Sequence, residues 1–226
     1  MTKDCYTTAG FTLAEVLITL GIIGIVSAMT MPALINQTKG KELETGLQKA
    51  YSVLQNAFNQ MSYDEGQIIN RTNYSNQTFI PVFKKYFKIS KDCRTFSCES
   101  GNAPEDGGYK ISNNYKTYNK MQLATNLFDD GQVIISDGMF IMIENITGLL
   151  LITVDINGYQ KKPNRWGHDL FTFQVMDNGK LLPMGAKNTR YTENDYCSKT
   201  ATNNYNGIEC TYKALTEKNY FKNLPK

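Results

Sequence analysis

One carboxylate stands where a carboxylate is expensive. Glu15 is the single charged residue from Phe11 to Thr38, and Val16 to Thr38 carries no charge at all. An ionisable side chain inside so apolar a run reads by default as functional, with a partner to be named. The chemistry open to it is ion pairing: a carboxylate removed from water needs a cation held close, and that cation needs it equally. The cysteines Cys93, Cys98, Cys197 and Cys210 can form disulfides or bind metal. Four cysteines allow three pairings. Their close spacings suggest Cys93–Cys98 and Cys197–Cys210; there is no CxxC, and the only histidine, His168, is far from both pairs in sequence. Disulfides are therefore expected, and with them an oxidising compartment. Asp155, Asn157 and Asp169 could lend oxygen atoms to a calcium ion, which takes six to eight. Too few carboxylates are in view and the spacing is not that of an EF-hand, so these residues read first as turn caps. No cofactor is expected, calcium being the one candidate. His168 has no nucleophile or acidic partner in its neighbourhood of sequence, and HExxH and GxSxG are absent. A structural protein rather than an enzyme is expected.

These residues must be positioned by regular elements. A helix needs about 20 apolar residues to cross a hydrocarbon core, and the run from Phe11 supplies them. Gly21 and Gly24, three apart, would let another helix approach. Pro32 removes one intrahelical hydrogen bond and should bend or loosen the helix. Beyond it Leu43, Leu47, Ala50, Tyr51, Leu54, Phe58 and Met61 recur at spacings of three and four, an amphipathic stripe. Gly40 and Gly46 weaken it by about 1 kcal/mol each. One helix from Phe11 to Ser62 is predicted, roughly 75 Å long at 1.5 Å per residue. A short helix over Phe79–Phe87 follows, with Pro81 tolerated in its first turn. Asn113–Asn119, with Tyr115 and Tyr118, reads as a solvated loop. Then the period changes. Strands are predicted at Gln132–Ser136, Met139–Glu144, Leu149–Ile156, Leu170–Val175 and Lys180–Leu182, with turns at Asp137-Gly138, Asn145–Gly148 and Asp177-Asn178-Gly179. Short connections favour an antiparallel meander, whose apolar face the second half of the long helix would cover. The fold class is α+β.

The stretch Gly10-Phe11-Thr12-Leu13-Ala14-Glu15, behind a polar leader and ahead of the apolar run, resembles the processing site of type IV prepilins and of the pseudopilins of type II secretion systems. The match is specific and covers roughly the first 35 residues. The resemblance implies that a membrane-embedded prepilin peptidase cuts between Gly10 and Phe11 and methylates the new amine. It matches the family's glutamate to Glu15 and its helix-bending proline to Pro32. It implies residues 1–10 as a leader that takes Cys5 away with it. Residues 11–35 would be the half-helix held in the membrane and then in the filament core. Residues 36–226 would be a periplasmic or extracellular head, opening with the amphipathic half-helix 36–62. The implied partners are the peptidase/methyltransferase, other pilin or pseudopilin subunits, an inner-membrane assembly platform and, before assembly, the membrane itself. Glu15 would pair with the Phe11 amine of its own or a neighbouring subunit. The segment Val154–Phe173 resembles one recurring in bacterial pilin-like proteins, and some pseudopilins hold calcium in a loop of the head; the disulfide-bounded C-terminal region resembles that of many pilins.

With 24 basic and 21 acidic residues in 226, a formal charge of +3, nucleic acid is not indicated. The rival reading is a secreted binding protein with a conventional signal peptide cut after Ala28. Glu15 weighs against it, because a charge in the apolar core of a signal peptide is costly.

Overall fold

The computed structural model describes residues 10–75, 78–94, 114–124, 126–192 and 196–225. The chain divides into two units, Met1–Gly40 and Lys41–Lys226. One helix, α1 (Leu13–Glu65), begins in the first and ends in the second, with Pro32 inside it.

In the second unit the order is α2 (Phe79–Phe83), a 3-10 turn (Lys84–Tyr86), β1 (Ile89–Arg94), β2 (Gly131–Ile135), β3 (Phe140–Ile146), β4 (Leu149–Asp155), β5 (Leu170–Val175), β6 (Leu181–Pro183), α3 (Cys210–Thr216) and a 3-10 turn (Tyr220–Lys222). The strands form one antiparallel sheet in the order β1-β2-β3-β4-β5-β6, a plain meander. The Asp137-Gly138 turn closes with Gly138 N–H donating to the Ile135 carbonyl at 2.9 Å, and the left-handed φ of Gly138 and Gly179 is what these tight turns require.

Alternation along the strands sends two sets of side chains to two faces. On one face Ile141, Ile143, Ile152, Val154, Phe171 and Phe173 pack with Leu47, Ala50, Leu54, Phe58 and Met61 of α1. The stripe at spacings of three and four is thus the inner side of the head. Gly46 sits on it because a Cβ there would come within 3.2 Å of Ile156 Cδ1; its cost in helix propensity is offset by close packing. The other face carries Phe140, Met142, Leu151 and Leu170 under a second apolar cluster with Tyr115, Phe128, Trp166, Met184 and Ile208. This second core corrects the expectation of a solvated loop around Tyr115: Tyr115 is 0 % exposed and Tyr118 is buried as well. Thr153, Thr172 and Trp166 on this face satisfy one another. The Thr153 and Thr172 hydroxyls lie 2.9 Å apart, and Trp166 Nε1 donates to Thr172 Oγ1 at 3.1 Å.

Two boundaries differ from the sequence expectation. The helix predicted over Phe79–Phe87 tightens into a 3-10 turn after Phe83. β1 was not anticipated: Ile89-Ser90-Lys91-Asp92-Cys93-Arg94 lacks apolar alternation because it is an exposed edge strand. Its two register shifts and its charged side chains, with Lys84 Nζ 2.7 Å from Asp92 Oδ2, discourage pairing with foreign strands.

Cys197 and Cys210 are joined as predicted, with Cα atoms 5.0 Å apart and a sequence separation of 13. Cys93 is disulfide-bonded; Cys98 lies outside the described residues, as do Cys5 and residues 1–9 of the expected leader. Closing a loop of this length constrains the unfolded chain by about 3 kcal/mol. The double replacement Cys197→Ala and Cys210→Ala is therefore expected to lower Tm by roughly 6–12 °C. Thermal melts under non-reducing conditions check this, and coincident curves would contradict it.

Candidate functional site

The first turn of α1 is built by two side chains that answer each other. Thr12 precedes the helix and Glu15 is its third residue. Glu15 N–H donates to Thr12 Oγ1 at 3.2 Å, while Thr12 N–H and the Thr12 hydroxyl donate to Glu15 Oε2 at 2.8 and 2.9 Å. This is a capping box, which satisfies helix-start N–H groups that have no intrahelical acceptor. Glu15 thus has a structural use besides the ion pairing expected of it, and the T-x-x-E spacing is the sequence signal for it. The box occupies Oε2 and holds the carboxylate against Thr12, the residue that follows Phe11, at the N-terminal end of α1. Gly10 and Phe11 are both exposed, Phe11 at 88 %.

Beyond Glu15 the helix presents its apolar side chains outward: Leu17, Ile18, Leu20, Ile22, Ile23 and Ile25 are all more than half exposed. Its most apolar 18 residues have a mean hydropathy of 2.1 and are unburied within the protein, so α1 carries a stretch long and apolar enough to cross a membrane. The polar residues in it cost little in hydrocarbon. The hydroxyls of Thr19, Thr30 and Thr38 donate to the carbonyls of Val16, Val26 and Leu34, which is how hydroxyl side chains are satisfied inside a membrane helix. A Cβ at Gly21 or Gly24 would meet nothing within 4 Å.

The structure brings the calcium candidates Asp155, Asn157 and Asp169 together, and shows what occupies them. Asp155 Oδ1 accepts the N–H groups of Asn157 and Gly158 at 3.2 and 2.9 Å, and its Oδ2 accepts the Tyr115 hydroxyl at 2.5 Å. Asp169 Oδ1 accepts Arg165 N–H at 2.7 Å and Oδ2 accepts Asn164 N–H at 2.8 Å. All four carboxylate oxygens already accept protein donors, which leaves Asn157 Oδ1 as the one buried candidate oxygen with no partner, too few free ligands for the six to eight that calcium takes. They clasp the loop between β4 and β5, and backbone continuity closes it where Ile156 N–H meets the Asp169 carbonyl at 2.9 Å. Both carboxylates are fully buried. Burial, then the charge of Asp169, pushes Asp155 up to about 7 against the pull of its hydrogen-bond donors. Burial pushes Asp169 up to about 6 against the Arg165 and Asn164 amides.

In the same loop His168 is buried against Tyr118, ring centroids 5.5 Å apart. Burial, then the charges of Arg165 and Lys120, pushes it down to about 3. A neutral imidazole held this way packs; its Nε2 has no hydrogen-bond partner. Trp166 belongs to the second core.

No protein-family model, curated protein or solved structure matches this chain. The functional reading therefore rests on the residues and their geometry.

Proposed function

We propose that the chain is a pilin-like structural subunit. It is made as a membrane-inserted precursor, cut after Gly10 by a prepilin peptidase, methylated on the new Phe11 amine and assembled through α1 into a type IV pilus or a type II secretion pseudopilus. Before assembly it is a single-pass inner-membrane protein with its head on the periplasmic or extracellular side; afterwards it belongs to the filament. Its partners are the peptidase/methyltransferase, other pilin or pseudopilin subunits and the inner-membrane assembly platform.

One observation carries this reading. A lone carboxylate, Glu15, is the fifth residue after an exposed Gly10–Phe11 bond, in the first turn of α1, whose N-terminal part presents apolar side chains outward and whose later part packs under the sheet. Glu15 in the apolar run weighs against a signal peptide cut after Ala28. The Cys197–Cys210 bond agrees with an oxidising compartment for the head.

Cleavage at Gly10 leaves Glu15 beside a newly made amine, so one peptide bond controls whether the partner charge exists. The mature protein is accordingly expected to begin at Phe11 and to carry one added methyl group. N-terminal sequencing with intact-mass measurement decides this, and a mature chain beginning at Met29, or an uncut one beginning at Met1, overturns the proposal.

A further inference from the structure

Three carboxylates meet where β2 enters and β3 leaves the sheet. Oxygen atoms of Asp129, Asp130 and Glu144 all lie within 4.8 Å of one another. Gly131 pairs with Ile143, so the register carries Asp130 opposite Glu144, and Asp130 N–H donates to the Ile143 carbonyl at 3.0 Å. Asp129 and Asp130 are half-buried, which leaves an approach from solvent; Glu144 is 3 % exposed.

Acidic clusters are common and are not sites by themselves. Here two deeply buried oxygens point further. Glu144 Oε2 accepts no N–H or hydroxyl donor, its only neighbour of that kind being the Asp129 carboxyl, with which it can share a proton, and Oε1 of Gln132, a residue 0 % exposed, has no partner. Gln132 pairs with Met142, which puts it on the face of Glu144, two positions along. Its Nε2 donates to the carbonyl of Phe128 at 2.8 Å, so the amide lies against the loop that bears both aspartates, with its oxygen unspent. Asp130 Oδ2 accepts Asn145 N–H at 2.6 Å, and Arg71 contributes a favourable charge to Asp130. A buried carboxylate oxygen set beside two more carboxylates, with a buried amide oxygen that has no partner two positions along the same face, is what a cation coordinated by oxygen would satisfy.

We propose that Asp129, Asp130, Glu144 and the side-chain oxygen of Gln132 form a binding site for a divalent cation of the calcium type. The donor set is entirely oxygen, which selects hard cations over zinc or copper. Its mixture of carboxylates and an amide, completed by water from the open side, suits the six to eight flexible ligands of calcium better than the strict octahedron of magnesium. The ion ties the loop before β2 to β3, on the face that the C-terminal region covers. Tyr191 lies within electrostatic reach of Glu144 and stacks on Tyr205 at 5.6 Å. The site is separate from the Asp155–Asp169 clasp, where every carboxylate oxygen already accepts a protein donor. It also stands apart from the filament proposal, since its test requires neither processing nor assembly.

The test uses the purified full chain in detergent, stripped with EGTA. Calcium at about 10⁻³ M, the range of extracellular modules, is expected to raise Tm by roughly 4 °C. Terbium, a calcium substitute, should show tyrosine-sensitised luminescence that calcium displaces. Glu144→Gln keeps the shape and removes a carboxyl ligand; Asp129→Asn does the same at a half-buried position. Each is expected to weaken terbium and calcium binding at least tenfold, while Asp155→Asn keeps the wild-type affinity. The proposal is overturned if neither Tm nor luminescence of the wild type responds to the ions, if both Glu144→Gln and Asp129→Asn bind as the wild type does, or if Asp155→Asn alone abolishes binding.

Discussion

Glu15→Leu is expected to leave the head folded and the precursor in the membrane, yet reduce incorporation into filaments below about a tenth of wild type. The substitution makes the span more apolar, so membrane residence becomes easier rather than harder. On the proposed reading, what it removes is the carboxylate that would meet the Phe11 amine exposed by cleavage. In a water-poor filament core that amine would be left as an unpaired cation. Immunoblots of sheared filaments and of the membrane fraction separate the two effects; wild-type amounts in the filament fraction would sink the pairing idea.

The capping box complicates this experiment and also refines it. Glu15 starts the helix through Thr12 as well as carrying a charge, so Glu15→Ala would confound two losses. Glu15→Gln retains an acceptor for Thr12 N–H and loses the charge. Thr12→Val keeps the charge and loses the hydroxyl that caps Glu15 N–H. If the charge drives assembly, Glu15→Gln fails as Glu15→Leu does, and Thr12→Val assembles nearly normally. The reverse ranking would assign Glu15 to helix initiation instead.

Why some of this was visible in the chain and some was not comes down to range. Leu47, Ala50, Leu54, Phe58 and Met61 reveal a helix face because their spacing is local, and β2 to β5 are marked by short apolar runs between glycine-bearing turns. β1 is polar, and its place follows from pairing with β2 across a long stretch of chain, which no local pattern encodes. The second core is hidden for a related reason. Thr153, Asp155 and Thr172 alternate with apolar neighbours like solvent-facing residues, but Tyr115, Trp166 and each other's hydroxyls satisfy them in the interior. Asp155, Asn157 and Asp169 were legible as a cluster in one loop; their use as hydrogen-bond acceptors depends on Tyr115, far upstream. The Asp129–Asp130–Glu144 cluster went unseen because only the β2–β3 register unites it.

Asp155→Asn is expected to make the protein more stable than wild type at pH 8, and no more stable at pH 4. Burial and Asp169 hold the folded-state Asp155 at about 7, against an ordinary value of 3.8. The folded chain therefore binds a proton that the unfolded chain has released. Stability from this group is fully present below pH 3.8 and is lost as the pH rises through 7. At about 1.4 kcal/mol per unit, the loss is at most roughly 4 kcal/mol, or about 10 °C in Tm. Asp169 is raised by its own burial, which the substitution leaves in place. The amide can keep the clasp: its oxygen accepts the Asn157 and Gly158 N–H groups, and its nitrogen can donate to the Tyr115 hydroxyl. His168 works in the opposite sense. Held down at about 3, it contributes stability that is present above pH 6.5 and lost as the pH falls towards 3. The two trends oppose each other between pH 4 and 6.5, so the wild-type profile alone is a poor witness. The difference between variant and wild type cancels His168 and isolates the clasp. Thermal melts of both proteins from pH 4 to pH 8 should give curves that separate as the pH rises; parallel curves would mean that Asp155 is ionised in the folded protein at both ends of the range.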